Sequence, residues 1–322
     1  MHTATRMLQS LEGVAGSFLI SNDRVLRRIG KRVLSPRTRV RLAFARTSAR
    51  RPTARWRALP NLLIIGAQRC GTSSLFKYLS AHPRCKPSIR KEVRFFTEYY
   101  TRGEDWYRSH FPLGVAGHRG APAIYFEASP DYLLDPRVPS RVTQLLPDVR
   151  LIVILRNPIE RAYSHYRHLR RLGMEELSFE EALRREPERI QQAMENLHAH
   201  PDHPIGGDLL RYSYVERGRY ARQLEHWLEV VDRSRLLVLS SERFFSETDR
   251  VFQSILSFLG LPEWRPVAYR NFSYSNPRPV PPEMPAECQR FLMQQLAPEL
   301  ARLEGMGVLE PGLIEVLPSG DS

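Results

Sequence analysis

The chain has 322 residues and a formal net charge of +13. Residues 1–57 carry 14 of the 48 Lys and Arg residues against only Glu12 and Asp23, and the remainder holds 34 basic and 33 acidic residues. The excess charge therefore belongs to an N-terminal arm, and a near-neutral body excludes broad nucleic-acid binding as its main role.

Three cysteines, Cys70, Cys85 and Cys288, lie far apart without metal-ligand spacing. An odd, sparse count argues against a disulfide framework and leads to the expectation of a reducing, cytoplasmic setting, peripheral to a membrane if the arm binds one. No apolar run reaches the length of a membrane span, and Glu12, Asp23 and Gly16 interrupt the short apolar piece that a secretory signal would need.

The arm, residues 1–57, has loosely helical apolar spacing at Met7, Leu8, Leu11 and Val14 and again at Val25, Leu26, Ile29 and Val33. Arg and Lys fill the gaps, as in a basic amphipathic helix on an anionic membrane surface; a poorly ordered basic tail fits the same pattern. Residues 58–310 form the expected domain and 311–322 a tail.

The first strand signal is the apolar run 62–65, stopped by Gly66. A short loop follows, and helical spacing begins at Ser73 and runs to 81. Strand, glycine-bounded loop and helix present backbone N–H groups to one point, a site for phosphate or sulfate. Gly66 and Gly71 hold the places of the nucleotide-binding pattern G-x-x-x-x-G-K-[ST], but Thr72 replaces the Lys and the cation sits inside the loop at Arg69.

Further strands are expected at 124–128, 151–155 and 236–239, and helices at 139–146, 158–172, 220–231 and 249–259. The unbroken apolar run 151–155 suits a strand covered on both faces. The alternation predicts an α/β fold of P-loop-like type, with a central parallel β-sheet flanked by helices on both faces. Residues 173–217 read as an insertion with one helix over 179–198 and a loop over 200–208; 272–285 is irregular, and a last helix spans 285–303.

Parallel sheets bind ligands at the C-terminal ends of their strands. The 151–155 strand is followed by Arg156, where an NTPase needs a magnesium-binding Asp, and then by Ser164 one to two helical turns on. Arg and hydroxyl suit a second phosphate, although Arg156 could equally pair with Glu160 on the surface.

These residues carry a resemblance. Ile64–Ser73 fits I-I-G-x-x-[KR]-x-G-T-[ST], Leu155–Ser164 fits L-R-[ND]-P-x-x-R-x-x-S, Glu92–Phe96 fits E-[VI]-x-F-F, and Phe126–Tyr132 fits F-E-x-[ST]-x-x-Y. The ordered set, over about residues 60–305, resembles sulfotransferases that use 3′-phosphoadenosine 5′-phosphosulfate (PAPS), in particular the heparan-sulfate-type carbohydrate enzymes and their bacterial relatives. The resemblance implies that Gln68, Arg69, Cys70, Gly71, Thr72 and Ser73 cradle the 5′-phosphosulfate, with Arg69 also catalytic, and that Arg156 and Ser164 hold the 3′-phosphate. It further implies that Glu92 is the general base, that Arg278 closes over the cofactor, and that the acceptor is a carbohydrate or glycoconjugate. Two departures stand out: Arg69 replaces the usual Lys, and Ala128 stands where animal enzymes often carry a Lys.

Sulfuryl transfer asks for in-line positioning and charge stabilisation, and no metal is expected. Phe95 and Phe96 are expected to raise the Glu92 pKa by burial, against the alternative that Glu92 is a structural ion pair with Arg90, Lys91 or Arg94. His110, His118, His165 and His168 are rival bases, and Arg94, Tyr99, Tyr100, Asp131 and Tyr132 are candidates for an acceptor cleft. Two other readings remain at this point: a P-loop nucleotide kinase or NTPase, and a polyanion-binding protein that uses its arm.

Overall fold

A computed structural model of the chain describes residues 45–114, 123–200, 202–272 and 283–307. The chain divides into two units, Met1–Thr53 and Ala54–Ser322. In the first, residues 45–50 are helical, and Thr53 Oγ1 donates to the Arg50 carbonyl at 2.8 Å.

The second unit is built on five strands: β1 (Leu62–Gly66), β2 (Cys85–Pro87), β3 (Ile124–Ala128), β4 (Arg150–Leu155) and β5 (Leu236–Ser240). Their order in the sheet is β2-β3-β1-β4-β5 and every pairing is parallel. All of β1 and β3, and β4 after Arg150, are buried, so side chains pointing to either face meet covering elements. The expected α/β, P-loop-like class holds. The chain first builds β2 and β3 on one side of β1, then crosses to β4 and β5 on the other. β1 is thus flanked by the switch point where parallel sheets open a crevice.

Helices α1 (Thr72–Ala81), α2 (Phe95–Glu98), α3 (Glu104–Arg108) and α4 (Val138–Leu145) lie between the strands up to β4, and α5 (Pro158–Leu172) follows β4. The sequence pattern missed β2, α2 and α3 because each is too short to show a period. Asn157 starts α5 by accepting from the amides of Ile159 and Glu160, with Pro158 in the first turn, and Gly173 ends it at φ 69°.

The single helix expected over 179–198 is instead two, α6 (Phe179–Arg184) and α7 (Glu186–Ala199), and α8 (Gly207–Tyr212) begins inside the expected 200–208 loop. Pro187 explains the break: it is tolerated in the first turn of α7 but not in the middle of a continuous helix. The remaining helices are α9 (Tyr220–Leu228), α10 (Ser241–Ser246), α11 (Thr248–Phe258) and α12 (Ala286–Gly305).

Candidate active site

The loop that the resemblance assigns to the sulfuryl donor, the donor loop, begins where β1 ends. Gly66 is obligatory there, since a Cβ would lie 2.8 Å from Leu133 Cβ. Gly71 has φ 102°, and a Cβ on it would meet the Phe245 ring at 3.1 Å. Ala67 N–H donates to the Ile154 carbonyl at 2.7 Å and pins the loop to β4. Helix α1 then starts with no side-chain cap. Among the described residues, the amides of Gly71, Thr72 and Ser73 donate to no acceptor, which is the arrangement an anion completes.

Arg69 leaves this loop at φ 71° and its Nε donates to Ser164 Oγ on α5 at 3.2 Å. Burial, then the charges of Arg171, Arg156 and Arg161, lower its pKa to about 10. No carboxylate pairs with Arg69 among the described residues, so its charge is available to a ligand. Arg156 pairs with Glu160 at 3.3 Å, both side chains partly exposed, which realises the surface pairing considered above. Such a pair is weak and open to displacement.

Cys70 points its thiol into the core, 3.9 Å from the Tyr220 hydroxyl, and burial pushes its pKa up to about 11. Its amide is taken by the Ala67 carbonyl at 3.3 Å. The Gln68 Oε1 atom is buried without a partner among the described residues. Arg278 lies outside the described residues, as does His118.

Glu92 sits on a second loop, stitched across the end of β3. Its amide donates to the Ala128 carbonyl at 2.9 Å, and the next two amides go to Glu127 Oε2 and to Ser129 Oγ. Glu92 and Arg94 both adopt positive φ, 61° and 57°. The Glu92 carboxylate meets Lys91 Nζ at 2.9 Å and Arg94 Nη2 at 3.2 Å, with the side chain 39% exposed. Burial pushes its pKa up, but Lys91 and Arg94 outweigh burial and hold it below the usual carboxylate value. The expectation of a raised pKa is therefore corrected: two cations at hydrogen-bond distance decide the balance. Phe95 and Phe96 pack with Tyr107 and Tyr132.

His168 stands one turn beyond Ser164 on α5. Burial, then Arg69 and Arg171, lower its pKa to about 4, while Glu92 acts in the opposite sense. The face of α5 that carries Ser164 and His168 thus lies within electrostatic reach of both loops. His110 is buried with Nδ1 2.9 Å from the Trp106 carbonyl, and His165 is wholly buried, so neither faces the loops as a base would.

The structure adds a residue that the patterns contained without revealing its role. Glu127 is fully buried and accepts from Tyr132 at 2.6 Å, Ser129 at 2.7 Å, Tyr107 at 2.9 Å and the Val93 amide at 3.4 Å. It is the anchor that holds the Glu92 loop on β3, and burial raises its pKa despite these donors. Asp131 and Tyr132 are buried and do not line an open cleft. Asp131 instead joins Arg94, at 3.0 Å, to buried Arg217, at 3.1 Å. Spacing alone could suggest a hub in F-E-x-[ST]-x-x-Y, but not its four donors.

A parallel sheet with an uncapped, glycine-bounded loop at its switch point is a P-loop-like architecture. The chain belongs to the sulfotransferase domain family, whose family model matches residues 59–287. Members of this family use PAPS. The chain is 32% identical over 205 residues to heparan sulfate glucosamine 3-O-sulfotransferase 6 of Homo sapiens, covering 64% of this chain and 53% of that protein. It is 28% identical over 225 residues to the bifunctional heparan sulfate N-deacetylase/N-sulfotransferase 1 of Caenorhabditis elegans, covering 68% of this chain and 24% of that protein. A sulfotransferase structure from Alicyclobacillus acidocaldarius shares 33% identity and a TM-score of 0.62, covering 77% of this chain and 96% of that one. The chain thus spans between about a quarter and about half of these two curated relatives.

The relatives overturn the cytoplasmic placement expected from the cysteines. They are named for heparan sulfate, a polysaccharide of the secretory route and not of the cytoplasm. The physical reason is plain: Cys70, Cys85 and Cys288 are buried and unpaired, so their number carries no information about redox surroundings. No helix among the described residues is long and apolar enough to cross a membrane, and no described cluster of His, Cys, Asp and Glu could hold a metal.

Proposed function

We propose that the chain transfers a sulfuryl group from PAPS to a hydroxyl or amine of a carbohydrate or glycoconjugate acceptor, with Glu92 as general base. The observation that carries this reading is the Arg69–Ser164 contact, which joins the donor loop to the helix beginning at Arg156. Bound PAPS supplies the sulfuryl group and, as leaving group, a nucleotide with two separate phosphate positions. The amides of Gly71, Thr72 and Ser73 and the Arg69 guanidinium suit the 5′-side, where charge grows during transfer. Arg156, released from Glu160, and Ser164 suit the 3′-phosphate. Arg278 is kept as a candidate for covering the nucleotide. Glu92, ionised at neutral pH, accepts the acceptor's proton. The heparan sulfate relatives support a polysaccharide acceptor.

His168 is the second candidate base: it is held neutral and is electrostatically coupled to both Arg69 and Glu92. The experiment is a thermal-shift series followed by turnover with labelled PAPS and a panel of glycans. Adenosine 3′,5′-bisphosphate should stabilise the protein and ATP with Mg²⁺ should not. Stabilisation by ATP with Mg²⁺ alone would return the chain to the kinase reading.

A further inference from the structure

Arg161 and His165 lie four residues apart on α5, hence on one face, and both are fully buried. Arg161 Nη2 donates to the Tyr214 carbonyl, and the His165 ring lies 5.1 Å from the Tyr214 ring, so one residue closes one side of both. Arg161 Nε and Nη1 and both His165 nitrogens have no hydrogen-bond partner among the described residues. The Arg161 charge is felt at Cys70 of the donor loop, at Tyr220 and at Glu186, which places it behind that loop.

The nearby counter-charges are engaged elsewhere. Asp131 is shared by Arg94 and Arg217. Glu186 accepts from the amides of Val215 and Glu216. Burial pushes the Glu186 carboxyl up to about 7, so it is only partly ionised at neutral pH. A guanidinium cannot discharge itself by losing a proton, and a buried one without acceptors is costly. The unused groups of Arg161 are all donors, and a neutral His165 adds one donor and one lone pair. Donors therefore outnumber acceptors, which suits a ligand that only accepts better than a water that must also donate.

We propose that Arg161 and His165 bind a small monovalent anion of the halide type, buried behind the donor loop. The anion completes the hydrogen bonding of Arg161 and offsets its charge. It also opposes the Arg161, Arg217, His168 and Arg69 charges that, after burial, keep His165 neutral, so anion binding and protonation of His165 favour each other. Binding is accordingly tighter at lower pH.

The test uses the intact protein without nucleotide. Melting temperature is measured at constant ionic strength in chloride, in bromide and in gluconate, which is too large for the site. The expected result is a saturable rise in chloride and bromide, about 3 °C at tenfold the dissociation constant. Crystals grown in bromide should show an anomalous peak between Arg161 and His165. His165→Phe should melt alike in all three salts. Equal melting of the wild-type protein in all three salts, or a water without anomalous signal at that position, overturns the proposal.

Discussion

At the scale of single residues, the balance around Glu92 is the most exposed to experiment. Glu92→Gln keeps shape and hydrogen bonding but removes the proton acceptor, and turnover should fall about 10²–10⁴-fold with PAPS affinity nearly unchanged. His168→Ala is the control: if it abolishes turnover while Glu92→Gln does not, the base is the imidazole. Arg94→Gln tests the electrostatics. Removing one of the two cations that outweigh burial leaves Glu92 with a higher pKa. The acid limb of the kcat/KM profile should then move to higher pH; an unmoved limb means that another group titrates there. Arg156→Ala should weaken adenosine 3′,5′-bisphosphate by about 1.5–3 kcal/mol and leave a ligand lacking the 3′-phosphate nearly untouched. Equal losses for both ligands would sink its assignment to the 3′-phosphate.

Elements decide how such residues are held. Gly66→Ala puts a methyl into the Leu133 side chain at the end of β1 and should cost about 1–3 kcal/mol in denaturant unfolding, with nucleotide affinity falling as the loop shifts. The turn after α8 is tied to α7 by Glu186, whose folded pKa is raised from 4.5 to about 7. The folded state thus binds the proton more tightly than the unfolded state. That contribution is fully present below about pH 4.5 and is lost as pH rises through about 7. The shift corresponds to about 3 kcal/mol at most. Glu186→Gln should flatten this fall, seen as urea midpoints at pH 5 and pH 7.5 that differ less than in wild type; an unchanged difference removes Glu186 as its source. The spacing announced α5, but it joined α6 and α7 into one helix because their apolar periods run in phase. Only Pro187 marked the boundary.

For the whole molecule, the second unit begins at Ala54, and its first residues are part of the packing. Buried Arg57 donates to the Phe111 carbonyl at 3.0 Å, and the Trp56 carbonyl accepts from Gly114 at 2.8 Å. Removing residues 1–53 should leave a cooperatively folded, nucleotide-binding protein, whereas removing 1–57 should lower the melting temperature by deleting these contacts. The arm is proposed to bind anionic vesicles; most of it, residues 1–44, lies outside the described residues. The 1–53 truncation should lose salt-sensitive vesicle binding and keep its turnover. Retained binding would place the membrane contact on the body.

The sequence by itself determined the parallel α/β class and located the two segments proposed here as anion sites. These follow from local chemistry: apolar runs that need cover on both faces, glycines where no Cβ fits, and an Arg at a strand end. The family also followed from short motifs in order. What the tertiary structure decided were relations between distant segments. Arg69 and Ser164, 95 residues apart, meet because β1 and β4 are neighbours in the sheet. Glu127 adds to Ser129 and Tyr132 of its own motif the Tyr107 hydroxyl and the Val93 amide, which no spacing connects to it. Glu92 was legible both as a candidate base and as a partner of Lys91 or Arg94, but the direction of its pKa shift was not, because burial and attraction by two cations act in opposite directions, and their balance depends on distances that only the folded chain sets.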